Sequence, residues 1–531
     1  MRVRFKRFLL AVLGGCLLGA PMAFAQQTNS QPYYNGSALQ GASVQTQNGY
    51  IPYAPQAIYT NTSQQAVDPM ALAESAQVMP YTNGGEFGYG EQYAYGYQPS
   101  YAYNMCQPSY QPGLTCGKWF VTGWLDQGFS YNADKPHDKE NGPLRYNDRS
   151  NEYQLNQLYV AMGRAAATSG CCWDFGVRAD FLYGSDYYYT SAIGLETRTE
   201  LNGNPQQDQT GLPSRWNSNN GQRGGGSNGV GASRFGLSMP QLYAEMYVPL
   251  HYGLSVKAGH FYSIMGYESV MSPQNFFYSH SYSMMYGQPI THTGIMFSQR
   301  LTHRLTGIFG VTRGWDTWED PNGKLSYLAG FRWNSWDGRT EFSWIGESGN
   351  ETVSDLDNPG ASSRKGATRS HYSMVLSHQL TPRLKLVTQH DLGYEKDAAF
   401  ERHDTTRRSV NGHWYSLSQY AFYQWSDTLS FGIRGEWFRD VNSTRIYRQY
   451  PVRTYDPAGN LTQYIDGQDY SQVTVGLNWK PYECLVIRPE ARWDWSGVGL
   501  VDNSGPSFNG MYDDSNKKKQ TTISLSAYIT Y

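Results

Sequence analysis

From Gly117 onward the chain alternates apolar and polar residues in segments of about 10 to 14, the length and period of strands that cross a membrane at a tilt. Leu242, Ala244, Met246 and Val248 fall on one face, with Tyr243, Glu245 and Tyr247 on the other. Leu254, Val256 and Ala258 oppose Ser255, Lys257 and Gly259, and Leu429, Phe431, Ile433 and Trp437 oppose Ser430, Arg434 and Glu436. Val473, Val475, Leu477 and Trp479 oppose Thr474, Gly476 and Asn478. Leu485, Ile487, Ala491 and Trp493 oppose Arg488, Glu490, Arg492 and Asp494. Strands are expected to start near residues 118, 151, 173, 239, 253, 290, 303, 324, 339, 369, 383, 411, 428, 467, 483 and 518, about sixteen in all.

A β-sandwich alternates too, so the connections decide. Short turns, such as Pro249–Tyr252, Leu301–Thr302, Asp337–Gly338 and Pro481–Tyr482, take turns along the chain with long loops near 132–150, 187–238, 263–289, 314–323, 348–368, 397–410, 441–466 and 497–517. Every long loop then opens at one end, as in a transmembrane barrel with short periplasmic turns. The last strand alternates Thr521, Ile523, Leu525, Ala527 and Ile529 with Thr522, Ser524, Ser526, Tyr528 and Thr530, and it stops on Tyr531. An aromatic end of this kind is similar to the signal that barrel-assembly machinery recognises. The expected fold is all-β: a transmembrane antiparallel up-and-down β-barrel of about 16 strands over residues 117–531.

Composition agrees with a wall that is dry outside and wet inside. Aromatic residues make up 15%, with 44 Tyr and 56 Gly, yet the chain is polar on average. The near-neutral charge of −2 gives no basis for nucleic acid as a partner. Arg2, Arg4, Lys6 and Arg7, then the apolar run Phe8–Leu18, then Ala23-Phe24-Ala25, make residues 1–25 an expected secretory signal peptide cleaved after Ala25. Residues 26–116 are a low-complexity Tyr/Gln/Pro/Asn-rich stretch, expected to be a disordered periplasmic linker, with partner binding as the alternative. Export and barrel together place the protein in an outer membrane, in contact with its lipid.

Cleavage would leave Cys106, Cys116, Cys171, Cys172 and Cys484, all at the expected periplasmic end, where disulfides persist. The spacing suits no zinc site, and nothing in the sequence calls for a cofactor. A bridge from Cys106 or Cys116 to Cys171 or Cys172 and a local Cys106–Cys116 loop both remain open.

The third long loop is the most distinctive segment. It is dense in Met and aromatic residues, which a solvated loop would not be unless it were packed. It is expected to fold inward and narrow the pore, with Glu268, Tyr278, His280, Tyr282 and His292 as constriction candidates; packing on the rim is the alternative. By alternation Arg178, Asp180, Glu245, Lys257, Arg434, Glu436, Arg488, Glu490 and Arg492 face the lumen. Such mixed charge argues against strong ion selectivity, and cross-strand pairing that merely holds the wall is the plainer role.

The blocks Gly266-Tyr267-Glu268, Tyr278-Ser279-His280-Ser281-Tyr282 and Gly287-Gln288-Pro289 with His292-Thr293-Gly294 resemble those of the OmpL-like β-barrel porins, the second such porin family. The likeness runs from about Trp119 to Tyr531 and implies an outer-membrane porin; it implies no particular solute. The expected function is passive diffusion of small hydrophilic solutes, with a homo-oligomer left open. A structural or adhesive surface barrel, binding through its linker or its long loops such as 202–233, is the alternative. Ser279 beside His280 is not a catalytic dyad by adjacency alone, so an enzyme is not expected.

Overall fold

The structure is a computed structural model. It describes residues 119–168, 172–192, 235–318, 323–351, 368–400, 409–441, 444–446, 467–497, 510–513 and 516–531. Residues 1–118, which include the expected signal peptide and linker with Cys106 and Cys116, lie outside the described residues, as do Cys171 and 202–233.

Because the alternation keeps one face apolar and the other polar, the strands pair edge to edge until no edge remains. The strands are β1 Trp119–Asn132, β2 Tyr153–Arg164, β3 Asp174–Gly184, β4 Gly236–Val248, β5 Leu254–Tyr262, β6 Thr291–Arg300, β7 Leu305–Thr312 and β8 Ser326–Asn334. They continue as β9 Thr340–Asn350, β10 Thr368–Thr381, β11 Leu384–Phe400, β12 Ser409–Gln424, β13 Leu429–Asp440, β14 Gln468–Tyr482, β15 Leu485–Ser496 and β16 Lys519–Thr530. All neighbours are antiparallel and β1 pairs with β16, closing a sixteen-strand barrel. An even count is what antiparallel closure requires. Every strand begins within three residues of its expected start. The long connections all join an odd strand to the next even one, so they share one rim.

The outer face follows the alternation. Leu242, Ile295, Phe309, Leu376, Ile433, Val475 and Leu525 point away from the lumen. Trp173, Tyr252, Trp336, Trp425, Trp479 and Tyr482 ring the short-turn rim, while Tyr131, Tyr153, Tyr183, Tyr327, Trp437 and Trp493 lie toward the other. Two aromatic girdles flanking an apolar band match the two interfaces of a bilayer. The turn Ser335–Gly338 shows the local chemistry. Gly338 takes φ +66° and its N–H bonds to the Ser335 carbonyl at 3.2 Å, a left-handed position suited to glycine.

The closing β1–β16 ladder, Trp124–Asn132 against Thr522–Thr530, runs on to the last residue. The Tyr531 N–H donates to the Gly123 carbonyl at 2.9 Å and Gly123 N–H returns the bond at 3.0 Å. The Tyr531 hydroxyl donates to the Tyr159 carbonyl at 3.0 Å, laying its ring over Gly123, where a Cβ would sit 2.7 Å from that hydroxyl. An aromatic ring over a strand glycine restores packing that glycine lacks. Tyr531→Ala should lower stability by about 1–3 kcal/mol and Tyr531→Phe by less. The check is the temperature at which the heat-modifiable band of the detergent-solubilised protein converts on a gel.

Candidate functional site

The segment between β5 and β6, residues 263–290, is buried along its whole length apart from the half-buried Gln274. It springs from Ser263, whose N–H bonds to the Ile290 carbonyl at 2.8 Å, and its residues bond to β11, β12, β13 and β15 on the other side of the lumen. In a sixteen-strand closed barrel β13 stands half-way round from β5, so the loop crosses the lumen rather than lying on the rim.

A buried backbone must have its N–H and C=O groups satisfied, and here side chains of the wall satisfy them. The Glu490 carboxylate accepts the N–H groups of Tyr278 at 2.9 Å and Ser279 at 3.2 Å. Glu436 accepts those of Tyr282 at 2.6 Å and Ser283 at 2.7 Å, and the Ser283 hydroxyl at 2.6 Å. Arginines serve the carbonyls. Arg434 donates to Ser279 O at 2.7 Å, Arg488 to Ser272 O at 3.0 Å, and Arg492 to His280 O at 2.5 Å. Arg488 also pairs with Asp126 at 3.1 Å and Arg492 with Asp494 at 2.8 Å, so these cations are not left uncompensated.

At the centre, Arg434 Nη1 lies 2.7 Å from Glu268 Oε1. The same carboxylate accepts the Ser281 N–H at 2.7 Å and the Tyr420 hydroxyl at 3.1 Å, while His280 Nδ1 stands 3.5 Å away. Burial alone would raise the Glu268 carboxyl; Arg434, His280 and the Ser281 N–H outweigh it and hold it well below the usual carboxylate range.

The near side is set by a β-bulge. Pairing between β1 and β2 steps from Asp126↔Gln157 to Gln127↔Leu155, leaving Asn156 as an extra residue. Asn156 and Gln157 are therefore both buried on the inside, where strict alternation would turn one outward. Asn156 accepts the Tyr278 hydroxyl at 2.8 Å; Gln157 donates to the Val270 carbonyl at 2.7 Å and accepts from Trp124 Nε1 at 2.7 Å. Both amides also donate to Asp186, at 2.9 and 2.8 Å.

The alternation thus places all its charged candidates on the inner wall, and Glu268, Tyr278, His280 and Tyr282 on the loop inside it. Arg434, Glu436, Arg488, Glu490 and Arg492 come together on the loop. Arg178 and Asp180 pair with each other at 2.6 Å on β3, and Asp180 also accepts the Tyr159 hydroxyl. Lys257 lies 4.1 Å from the ring centroid of Tyr243, facing Glu245 of β4 across the β4–β5 pair. His292 sits apart on β6, 3.4 Å from Glu347 and 3.2 Å from the Ser263 hydroxyl. Cys484 is disulfide-bonded and Cys172 is exposed in the β2–β3 turn. The Ser279 hydroxyl accepts from Arg434 at 2.9 Å.

Alternation misses two things. One is the bulge with Asp126 and Asp186. The other is the apolar inner wall: Met296, Ile308, Leu328 and Ile345 pack with Tyr243, Phe261, Ile264 and Met265, and Val375 and Val387 pack with Tyr267, Phe276, Phe277, Tyr420 and Phe422. The signal is present in runs such as Ile308-Phe309-Gly310-Val311, apolar on both faces, which mark a strand covered on both sides.

A closed barrel with lipid-type girdles and an internal loop defines an outer-membrane porin. The chain belongs to the family described as Putative beta-barrel porin-2, OmpL-like, whose model matches residues 119–531. No curated protein matches it. Among solved structures it is similar to OprB of Pseudomonas putida (11% identity, TM-score 0.46, covering 78% of this chain and 94% of that one). It is also similar to an anion-selective porin from Comamonas acidovorans (8%, 0.44, 78% and 100%) and to Salmonella typhi OmpF in complex with daunomycin (10%, 0.44, 78% and 98%). Identities this low leave the solute and the assembly to be read from this chain.

Arg434→Met strands the buried Glu268 charge and should cost about 3–5 kcal/mol, whereas Glu268→Gln with Arg434→Met should recover much of that. Urea unfolding midpoints of the two variants in detergent check the difference.

Proposed function

We propose that the protein is a narrow passive channel for small hydrophilic solutes, with the third long loop as its constriction. One observation carries this reading: residues 263–290 run inside the barrel and bond to the wall half-way round. A sixteen-strand barrel is wide enough for an aqueous lumen, so what crosses is set by the gap the loop leaves. The charges lining that loop are largely answered by one another, by Glu268 and by backbone groups, which supports weak ion preference. Export by the 1–25 signal peptide, assembly through β16 ending at Tyr531, and a homo-oligomer belong to the same proposal.

A second reading, a structural or adhesive surface barrel, is favoured by the filled interior. Tyr146, Tyr187, Met284, Met285, Tyr286, Trp315, Ile446 and Tyr512, drawn from six of the long connections, share one buried apolar cluster. Such a cap would leave little passage, and the long loops would then serve a partner.

Planar bilayers separate the two. Wild-type protein should give small stepwise conductance with a reversal potential near zero in a salt gradient. Glu436→Gln with Glu490→Gln, which weakens the loop's far anchorage, should raise conductance several-fold. Silence of both proteins at every voltage would leave the structural barrel.

A further inference from the structure

Inside the barrel, beside the loop's seat on β11 and β12, three strands bring polar groups together with too few partners. Glu347 of β9 stands directly across from His371 of β10, and Ser373 of β10 across from Asp391 of β11. All four are buried, with at most 4% of their surface exposed. Five of their polar atoms have no hydrogen-bond partner: Glu347 Oε2, both His371 ring nitrogens, Ser373 Oγ and Asp391 Oδ1. His371 Nε2 stands 3.6 Å from Asp391 Oδ1, too long for a hydrogen bond. Buried groups are rarely left unmade, because each costs its full desolvation; five in one patch point to a guest.

The charges around the patch say which guest. Arg369 and Arg445 face it from β10 and the β13–β14 connection, but Arg369 is paired with Glu395 at 3.0 Å and Glu351 at 3.8 Å, and Arg445 with Glu395 at 3.7 Å. On the β6 side His292 reaches Glu347 Oε1 at 3.4 Å, and the Thr312 hydroxyl of β7 donates to that oxygen at 2.9 Å. Asp391 Oδ2 is taken by Gln389 at 2.6 Å and Ser416 at 3.0 Å. What stays open is one oxygen on each of two carboxylates, with a histidine and a hydroxyl between them. Trp315 and Trp414 flank His371, with ring centroids 5.5 and 6.2 Å away, adding an aromatic wall. Among the described residues no three His, Cys, Asp or Glu are placed to hold a metal ion. The open set suits a small cation that carries its own N–H donors, with aromatic faces beside it.

We propose that Glu347, His371, Ser373 and Asp391 form a binding site on the inner wall for a small organic ammonium ion. The site rests on the channel reading for access only. Binding is read on the whole protein in detergent and conductance on the same preparation, so absent heat in a conducting protein counts against the site and not against the channel.

Calorimetric titration with methylammonium chloride should give saturable heat, and sodium chloride at equal ionic strength should give none. Tetramethylammonium, which has no N–H, should bind at least tenfold more weakly. Glu347→Gln with Asp391→Asn should weaken methylammonium binding about tenfold or more, as removal of charged hydrogen-bond partners does. Ser373→Ala should weaken it several-fold, and this variant decides the matter if the double variant no longer shows the heat-modifiable shift of a folded barrel. No saturable heat with wild type, equal binding of the two ammonium ions, or unchanged binding in a folded variant overturns the proposal.

Discussion

The structure depends on one constraint: a loop inside a barrel must have its backbone hydrogen bonds made by the wall. The 263–290 loop has little regular structure of its own, only a 3₁₀ turn at Ser272–Gln274 and a π-helical turn at Ser283–Gly287. Its peptide groups, buried from solvent, would be orphaned without the wall, at a cost of one to several kcal/mol each. Glu436 and Glu490 each take a pair of successive N–H groups, while Arg434, Arg488 and Arg492 take the carbonyls. The loop and the inner wall thus specify each other.

That constraint explains why inward charge is so mixed. A wall meant only to repel ions of one sign would carry one sign. A wall that holds a peptide backbone needs acceptors and donors side by side, which is the order found along β15: Arg488, Glu490, Arg492, Asp494. It also explains why part of the wall is apolar. Where the loop presents Ile264, Met265, Phe276 and Phe277, the strands answer with Met296, Ile308, Leu328, Val375 and Val387. Lumen and core are the same space here, so permeability is set by what this packing leaves open.

Much of the fold was legible from alternation because the period of two is a local property of each strand. Leu242 and Ile433 out, Glu245 and Arg434 in, follow from parity alone. The burial of the third loop was legible from its excess of Met and aromatic residues. Less legible was what the inward charges do. Glu490 and Tyr278 are 212 residues apart, and no local pattern reports that one carboxylate caps the other's N–H. Asn156 escaped because a bulge breaks the parity on which the face assignment rests. Ile308 and Leu328 escaped because their outward neighbours, Phe309 and Tyr327, are equally apolar, so parity carried no contrast.

The central claim is that the third loop is seated against the far wall in the folded protein. The Ser283 and Ser416 hydroxyls lie 2.8 Å apart, which brings cysteine sulfurs in their places within reach of each other. Protein carrying Ser283→Cys and Ser416→Cys, folded in a membrane and oxidised mildly, is predicted to yield the 283–416 linked peptide in near-complete amount by mass spectrometry. Folded barrel that leaves both thiols unlinked would contradict the account.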